Sequence, residues 1–466
     1  MTFALVLAVL AALGPARASG QIPADALGTN ALTLGGGATT SSVLVRASGP
    51  WTATANASWL HVAAGSSSGS GNANVVFSLD AMSVSGSRVG TLTIDGMTLT
   101  VTQAGANYTA SGTSVAGPSL SMGPVSIAVD SAGNQYIAGD IWGFSCNSNG
   151  TLCGQAIIKD GLLQRVDATT KAVTTLGSGL NGAGGVAVDS AGNVYVADIG
   201  NNAIKKWTAA TQQFTTFLSG LNGPHGVAVD AAGNVYFGDT GNYALKKWTA
   251  ATQQVTTLYP VQYIAAVAVD ILGNVYFSDA DQAPYGWNIN AGSNGSIQKW
   301  DPSTQQVATL FSLKNPGAIN VDGSGNVYFM DAFAYDPSSG FFEYNPGMWS
   351  AATGQVTWLQ NQYASGANSF IPLDHGIAVD SSGNVYVGAH DYYKEFELPY
   401  AQVPSGTINE PIAAGSDTLP PVLPITADLN AYSPQSDQSW LTLGTVTNDA
   451  VPFSLTANTT GAVRTA

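Results

Sequence analysis

One phrase recurs six times in this chain, and it restricts the fold more than any other feature. The copies read IAVDSAGNQYIAGD (127–140), VAVDSAGNVYVAD (186–198), VAVDAAGNVYFGD (227–239), VAVDILGNVYFSD (267–279), INVDGSGNVYFMD (319–331) and IAVDSSGNVYVGAHD (377–391). Their aspartates, Asp130, Asp189, Asp230, Asp270, Asp322 and Asp380, stand 59, 41, 40, 52 and 58 residues apart. A repeat with a base period near 40 signals a solenoid, a propeller or an array.

The second and third copies agree closely enough to be read as one unit. GVAVD (185–189) alternates apolar and polar around β-branched residues, the pattern of a short strand. Ser190-Ala191-Gly192-Asn193 is a turn, since Gly and Asn tolerate positive φ. VYVAD (194–198) returns, AIKKW (203–207) makes a third strand, Thr208 to Gln213 turns again, and FTTFL (214–218) makes a fourth. Four short antiparallel strands per repeat is one propeller blade. No sustained 3.6-residue period follows the leader, so helix content is expected to be very low.

The string from Gly223 to Asp239, GPHGVAVDAAGNVYFGD, resembles the NHL-repeat family of β-propellers, and the resemblance spans roughly 119–400. Six copies then imply a six-bladed ring. The sixth copy ends in DYYKEFELPY (391–400) with no clear fourth strand after it. NYTASGTSV (107–115) could supply that outer strand and so remove an exposed edge, with GTINEPIAAG (406–415) as the other donor.

Charge narrows the partners. The chain carries 14 basic and 29 acidic residues, net −15, and no basic stripe. Nucleic acid and anionic membranes are therefore not expected as partners, because phosphate binding needs clustered Lys and Arg. Lys205-Lys206 and Lys246-Lys247 read as isolated pairs on strand surfaces.

FALVLAVLAALG (3–14) is too short to span a bilayer and is followed by Ala16-Arg17-Ala18, an A-x-A cleavage pattern. Residues 1–18 read as a secretory signal peptide, which places the protein outside the cell or on its surface. Its missing n-region Lys or Arg suggests a start codon further upstream; a mature N-terminal strand is the alternative. In an exported chain, Cys146 and Cys153 are expected to form a disulfide rather than a metal site, with two free thiols as the other reading.

Residues 41–105 alternate in short stretches punctuated by Gly, Ser and Asn, a small β-sandwich pattern. Trp51-Thr52-Ala53, Ser58-Trp59-Leu60, the turn at 65–71, RVGTLTI (88–94) and VTQAG (101–105) make this stretch similar to the BACON domain family. That family is suspected of carbohydrate or mucin binding. Trp51 and Trp59 could stack on sugars, but the strand-turn-strand context favours both as sandwich core. Residues 419–466 look like an incomplete second copy: SWLT (439–442) echoes SWLH (58–61), and FSLTANTTGAVRT (453–465) echoes FSLDAMSVSGSRVGT (77–91). Residues 401–418 are the linker. The fold class is thus all-β, a six-bladed β-propeller flanked by small immunoglobulin-like β-sandwiches.

In a propeller, the turns between first and second and between third and fourth strands of each blade share one face. Here that face has only tight turns. The opposite face receives three insertions, 140–163, 280–296 and 332–347, carrying Trp142, Tyr285, Trp287, Phe341, Phe342 and Tyr344. Long aromatic loops on a rigid scaffold are where binding usually lives, so these six are the candidate ligand-binding residues; solvent-shielding insertions are the alternative.

Four histidines exist, and His225 and His375 hold equivalent positions five residues before a repeat aspartate, in opposite blades of a six-bladed ring. His390 ends the second strand of the last blade on the same face, where other blades carry Asp198, Asp239, Asp279 and Asp331. Histidine with carboxylate can hold zinc or another divalent ion and activate water, so His225, His375 and His390 are candidate metal ligands, for zinc or calcium. Amidating and streptogramin lyases resemble this plan, though no matching Arg or Tyr set is found. The plainer reading is that the histidines bond neighbouring strand ends and the aspartates cap turns. No nucleophile elbow, phosphate loop or H-E-x-x-H occurs, and no catalytic residue is assigned.

The expectation is a secreted, monomeric protein that binds an extracellular polysaccharide, peptide or protein through the insertion face. The alternatives are a metal-dependent lyase or lactone hydrolase at the channel mouth, and a structural surface or adhesion protein.

Overall fold

The computed structural model describes residues 25–466 apart from 111–114, 147–152, 280–294, 337–340, 360–375, 390–393, 399–401, 406–409, 411–412, 424–434, 446–450, 461–462 and 465–466. The regular structure of the described residues is strand, apart from one short 3-10 turn, Thr240–Asn242.

Each repeat aspartate begins a turn inside a four-stranded antiparallel sheet. In the second blade the strands are Ala183–Val188, Val194–Asp198, Ala203–Thr208 and Gln213–Leu218, in that spatial order. The inner strands of the six sheets are Gly123–Val129, Ala183–Val188, Pro224–Val229, Ile264–Val269, Pro316–Val321 and Ile377–Val379. They line one central channel of about 290 Å³. Gly185 and Gly226 let them crowd together: a Cβ on either would stand 2.6 Å from a backbone nitrogen of the next strand, Val227 N and Val267 N. Gly376 lies against Ser126 and Ile127, so the last blade meets the first and the ring closes.

The repeat phrase also explains the core. Side chains alternate across a strand, so in Val194-Tyr195-Val196 the two valines pack against the preceding blade and Tyr195 against the following one. The same alternation places Tyr236 with Phe277 and Tyr276 with Phe329. Six buried clusters result, each shared by two adjacent blades.

The rest of the phrase is a turn lock. Asp230 Oδ1 accepts from Ala232 N and Asn234 N at 2.9 Å, and Oδ2 from Asn234 Nδ2 at 2.8 Å and Tyr236 Oη at 3.0 Å. Asn234 Oδ1 then accepts from Ala250 N at 2.9 Å, tying this turn to the neighbouring one. The carboxylate bonds recur at Asp130, Asp189, Asp270, Asp322 and Asp380. In the fourth blade Pro302 stands where Ala250 donates, and proline has no N–H to give. A hydrogen bond to an ionised group contributes about 1.5–3 kcal/mol, so the D-x-x-G-N-x-Y string is accounted for by structure alone.

The sixth blade is completed from the N-terminal side. Val115–Ala116 pairs with Lys394–Leu398, next to Val385–Ala389 and Ile377–Val379. Among the described residues of the stretch 107–115, Val115 is the one that pairs in that sheet. Tyr108–Ala110 pairs instead with Gln402–Pro404, a second clasp between the segments entering and leaving the ring. The other candidate donor, 406–415, ends where Gly415–Leu419 begins to pair with Val451–Leu455.

The N-terminal sandwich begins earlier than residue 41. Ala26–Leu27 pairs with Thr39–Arg46 and Ala31–Leu34 with Met97–Ala104, two short strands whose alternation was too brief to read. Two sheets enclose Val43, Val45, Phe77, Leu92, Ile94 and Val101. Trp51 is 5% exposed in this core and donates Nε1–H to Gly71 O at 2.9 Å. Trp59 packs at its margin, capped by the Arg88 guanidinium 4.3 Å from the ring centroid. Both rings are therefore spent on packing.

The C-terminal unit repeats one sheet of that sandwich in register. Leu441 opposes Leu455 and Leu443 opposes Phe453, as Leu60 opposes Leu79 and Val62 opposes Phe77. Arg464 covers Trp440 at 4.5 Å, as Arg88 covers Trp59. The linker is shorter than 401–418, because Gln402–Pro404 and Gly415–Leu419 are both strands.

The sandwich docks on the tight-turn face of the propeller, at the fourth and fifth blades. Leu44 N donates to Gly323 O (3.1 Å), Ser42 Oγ to Ser324 O (2.9 Å), Arg46 Nη1 to Ile271 O (3.3 Å) and Asn74 Nδ2 to Ala351 O (3.4 Å). These two turns read DILGN and DGSGN where the others read DSAGN, DAAGN or DSSGN.

Candidate functional site

The sandwich covers turns of two blades on one face of the ring, and the insertions rise from the opposite face. Two of the three insertions there are extensions of strands rather than loops. Gln135–Cys146 runs antiparallel to Cys153–Val166, and Val327–Asp336 to Phe341–Trp349, so both hairpins project beyond their blades. Trp142 lies on the first hairpin opposite Ile157. Phe341, Phe342 and Tyr344 lie on the second, opposite Asp336, Tyr335 and Ala332. Cys146 and Cys153 face each other in register. The side chains of these six lie outside the described residues, as do Tyr285, Trp287, His375 and His390 entirely.

At the channel mouth on this face, His225 lines a cavity of about 60 Å³ with Ser126, Gly184, Ala265 and Gly317. That is room for a few waters. The imidazole stacks obliquely on Tyr263, ring centroids 5.6 Å apart. Burial pushes its pKa down from 6.5 to about 4, so it is neutral at pH 7.

The carboxylates that end the second strands are mostly committed to backbone. Asp198 Oδ1 accepts from Asn181 N (2.8 Å), Asp239 Oδ1 from Asn222 N (2.7 Å) and Asp331 Oδ1 from Asn315 N (2.8 Å). Asp140 takes Ala183 N of the next blade at 3.1 Å. Asp239 Oδ2 also takes Asn242 Nδ2 and, at 2.6 Å, Lys246 Nζ. Among the described residues no three His, Cys, Asp or Glu side chains converge on a point. The residues seen here thus do not assemble a metal ligand set around His225.

The lysine pairs are structural too. Lys205 and Lys246 point to Asp198 (4.0 Å) and Asp239. Their neighbours Lys206 and Lys247 lie over the Tyr195 and Tyr236 rings at 4.8 and 5.1 Å. Successive strand residues face opposite ways, which sorts one pair into two jobs.

Sequence reasoning passed over a group on the same face, between the third and fourth blades. Tyr243, Tyr259, Gln262, Asp279 and Gln298 line an open cavity of about 290 Å³. The signal was present: Tyr243 and Gln298 replace an Asn and a Lys that the second blade carries at the same places.

Comparison with known proteins fits the two parts separately. The family model described as a viral BACON domain matches residues 27–108, the whole sandwich including its two early strands. The NHL repeat model matches 180–207, the first three strands of the second blade. The chain thus joins a BACON domain to a six-bladed propeller, one blade of which matches the NHL repeat. No curated protein matches it. Among solved structures, a protein of unknown function from Bacteroides thetaiotaomicron is 15% identical over 82% of this chain and 98% of its own, with a TM-score of 0.45. An auxiliary nutrient binding protein from the same organism is 13% identical over 79% and 95%, with a TM-score of 0.42. A streptogramin B lyase is 14% identical over 61% and 96%, with a TM-score of 0.40. Likeness at this level carries no argument about activity. Among the described residues no helix is long and apolar enough to cross a membrane.

Proposed function

We propose that this BACON–NHL chain is an exported binding protein whose propeller engages an extracellular ligand through the face bearing the hairpin extensions. One observation carries the reading: the sandwich occupies turns on one face, while both projecting hairpins rise from the other. The repeat's polar residues support a binding role over a catalytic one, because the turn aspartates and most strand-end aspartates are consumed by structural hydrogen bonds. The apolar leader supports export, and the register of Cys146 with Cys153 suits a disulfide at the hairpin end in that compartment.

The test is an array of extracellular polysaccharides, peptides and surface proteins, probed with the mature chain and with a variant in which 280–296 is replaced by Gly-Ser-Gly. The reading expects at least one partner, bound ten-fold or more weakly by the variant. Unchanged binding by the variant counts against it.

A further inference from the structure

The six blades are an internal alignment, and one place breaks their pattern in several positions at once. We infer that the groove between the third and fourth blades, under Tyr243, is a binding site for a neutral sugar unit. The inference rests on the binding-face reading and adds a site and a ligand class to it.

Tyr243 comes first. Among the described residues, seven non-glycine residues have positive φ, and six are Asp, Lys, Asn or Gln in polar turns. Tyr243 is the aromatic among them, at φ 56° and 65% exposed. A bulky residue in the left-handed region is strained, and such strain gathers at functional sites. The second blade shows what the position does when it serves structure alone. Asn202, at φ 52°, uses its side-chain Oδ1 to accept from Gly223 N at 2.8 Å. A tyrosine keeps the backbone bond, Val261 N to Tyr243 O at 3.0 Å, but gives up that side-chain acceptor.

The floor changes with it. In the second and third blades Lys205 and Lys246 face the strand-end carboxylate. In the fourth, Gln298 stands there and donates Nε2–H to Asp279 Oδ2 at 2.9 Å. Gln262 occupies the place of Asn222, and Tyr259 that of Leu218. The result is a cavity of about 290 Å³, near the lower end of the roughly 300–1,000 Å³ typical of ligand sites and of a size for one ring.

Its chemistry selects the ligand. An exposed tyrosine ring offers a flat apolar platform for the C–H face of a pyranose. Asp279, Gln262 and Gln298 offer acceptors and donors at fixed positions for hydroxyl groups. The lining has no Lys or Arg, which disfavours phosphate, sulfate and uronate. Loss of the lysine is what turns a structural ion pair into a polar floor.

The experiment measures binding of neutral tetrasaccharides of glucose, mannose, galactose and xylose, and of tetralysine, by calorimetry. Tyr243→Asn restores the residue suited to the backbone, and Gln298→Lys restores the pattern of the sister blades, so both variants should fold. The inference expects one of the tetrasaccharides to bind, ten-fold or more weakly to each variant, while Tm stays level or rises in Tyr243→Asn. Three results overturn it: no tetrasaccharide binds the native chain, the variants bind as the native chain does, or tetralysine alone binds and is lost in Asp279→Asn. The binding-face reading is tested apart from the groove by Phe341→Ala/Phe342→Ala, whose hairpin belongs to the fifth blade and leaves Tyr243, Asp279 and Gln298 in place: array binding unchanged in that variant counts against the face alone, so the two can fail separately.

Discussion

Gly28 and Gly323 meet backbone to backbone where the sandwich sits on the propeller. A Cβ on either one would run into the carbonyl group of the other. The contact is reinforced by Leu44 N to Gly323 O at 3.1 Å and by the buried bond from Ser42 Oγ to Ser324 O at 2.9 Å. The two domains thus touch through backbone as well as side chains at this junction.

Gly323→Val should separate them. Forcing side-chain atoms into a rigid contact costs about 1–3 kcal/mol, and the two hydrogen bonds nearby are lost with it. The expected outcome is a lower Tm, a larger radius of gyration by small-angle scattering, and new proteolytic cleavage near residues 105–120. Native-like scattering and Tm would show that the docking contributes nothing.

Lys246→Met should be among the most costly surface-region changes. Asp239 is buried, and burial alone would raise its pKa. Bonds from Asn242, Lys246 and Asn222 N outweigh that and hold it below 3.8. A folded pKa below the unfolded one gives stability that is present above 3.8 and lost as pH falls through the folded value. Removing the ammonium leaves a buried carboxylate without its counter-charge, a loss of about 3 kcal/mol at pH 7. Protonation relieves it, so the deficit of the variant should narrow between pH 7 and 4. Urea unfolding at both values measures this.

His225 responds to acid in the same direction as Asp239, but at higher pH. Its folded pKa of about 4 lies below the ordinary 6.5, so between these values the unfolded chain binds the proton and the folded chain does not. Stability therefore falls as pH drops from 6.5 towards 4, with a slope of up to about 1.4 kcal/mol per pH unit from this group. His225→Phe keeps the stacking on Tyr263 and should flatten that part of the profile. An unchanged slope would mean that the imidazole titrates in contact with solvent.

The blades were legible because their code is local. Gly192 and Asn193 set a turn, Val194-Tyr195-Val196 sets a strand with two buried faces, and the same pattern returns in all six copies. Closure was less legible, since Val115–Ala116 meets Lys394–Leu398 across almost the whole ring and the described pairing is two residues long. The early sandwich strands, Ala26–Leu27 and Ala31–Leu34, are too short to show a period. The docking surface was written in the sequence as Ile271 and Gly323, but nothing in a turn says what will cover it. Histidines and insertions drew attention to the channel mouth, where the described space fits only waters. The roomier groove was hidden because Tyr243 and Gln298 are meaningful only by comparison with Asn202 and Lys205. Only the fold shows that they share a wall.

The measurement that tests the account most directly sets the two propeller faces against each other. The extracellular array is probed with the native chain, with Phe341→Ala/Phe342→Ala on the hairpin of the fifth blade, and with Ser131→Trp/Ser190→Trp on uncovered turns of the first two. The account predicts that binding to the partner found falls ten-fold or more in the hairpin variant and holds in the turn variant. Loss in the turn variant with full binding by the hairpin variant would contradict it.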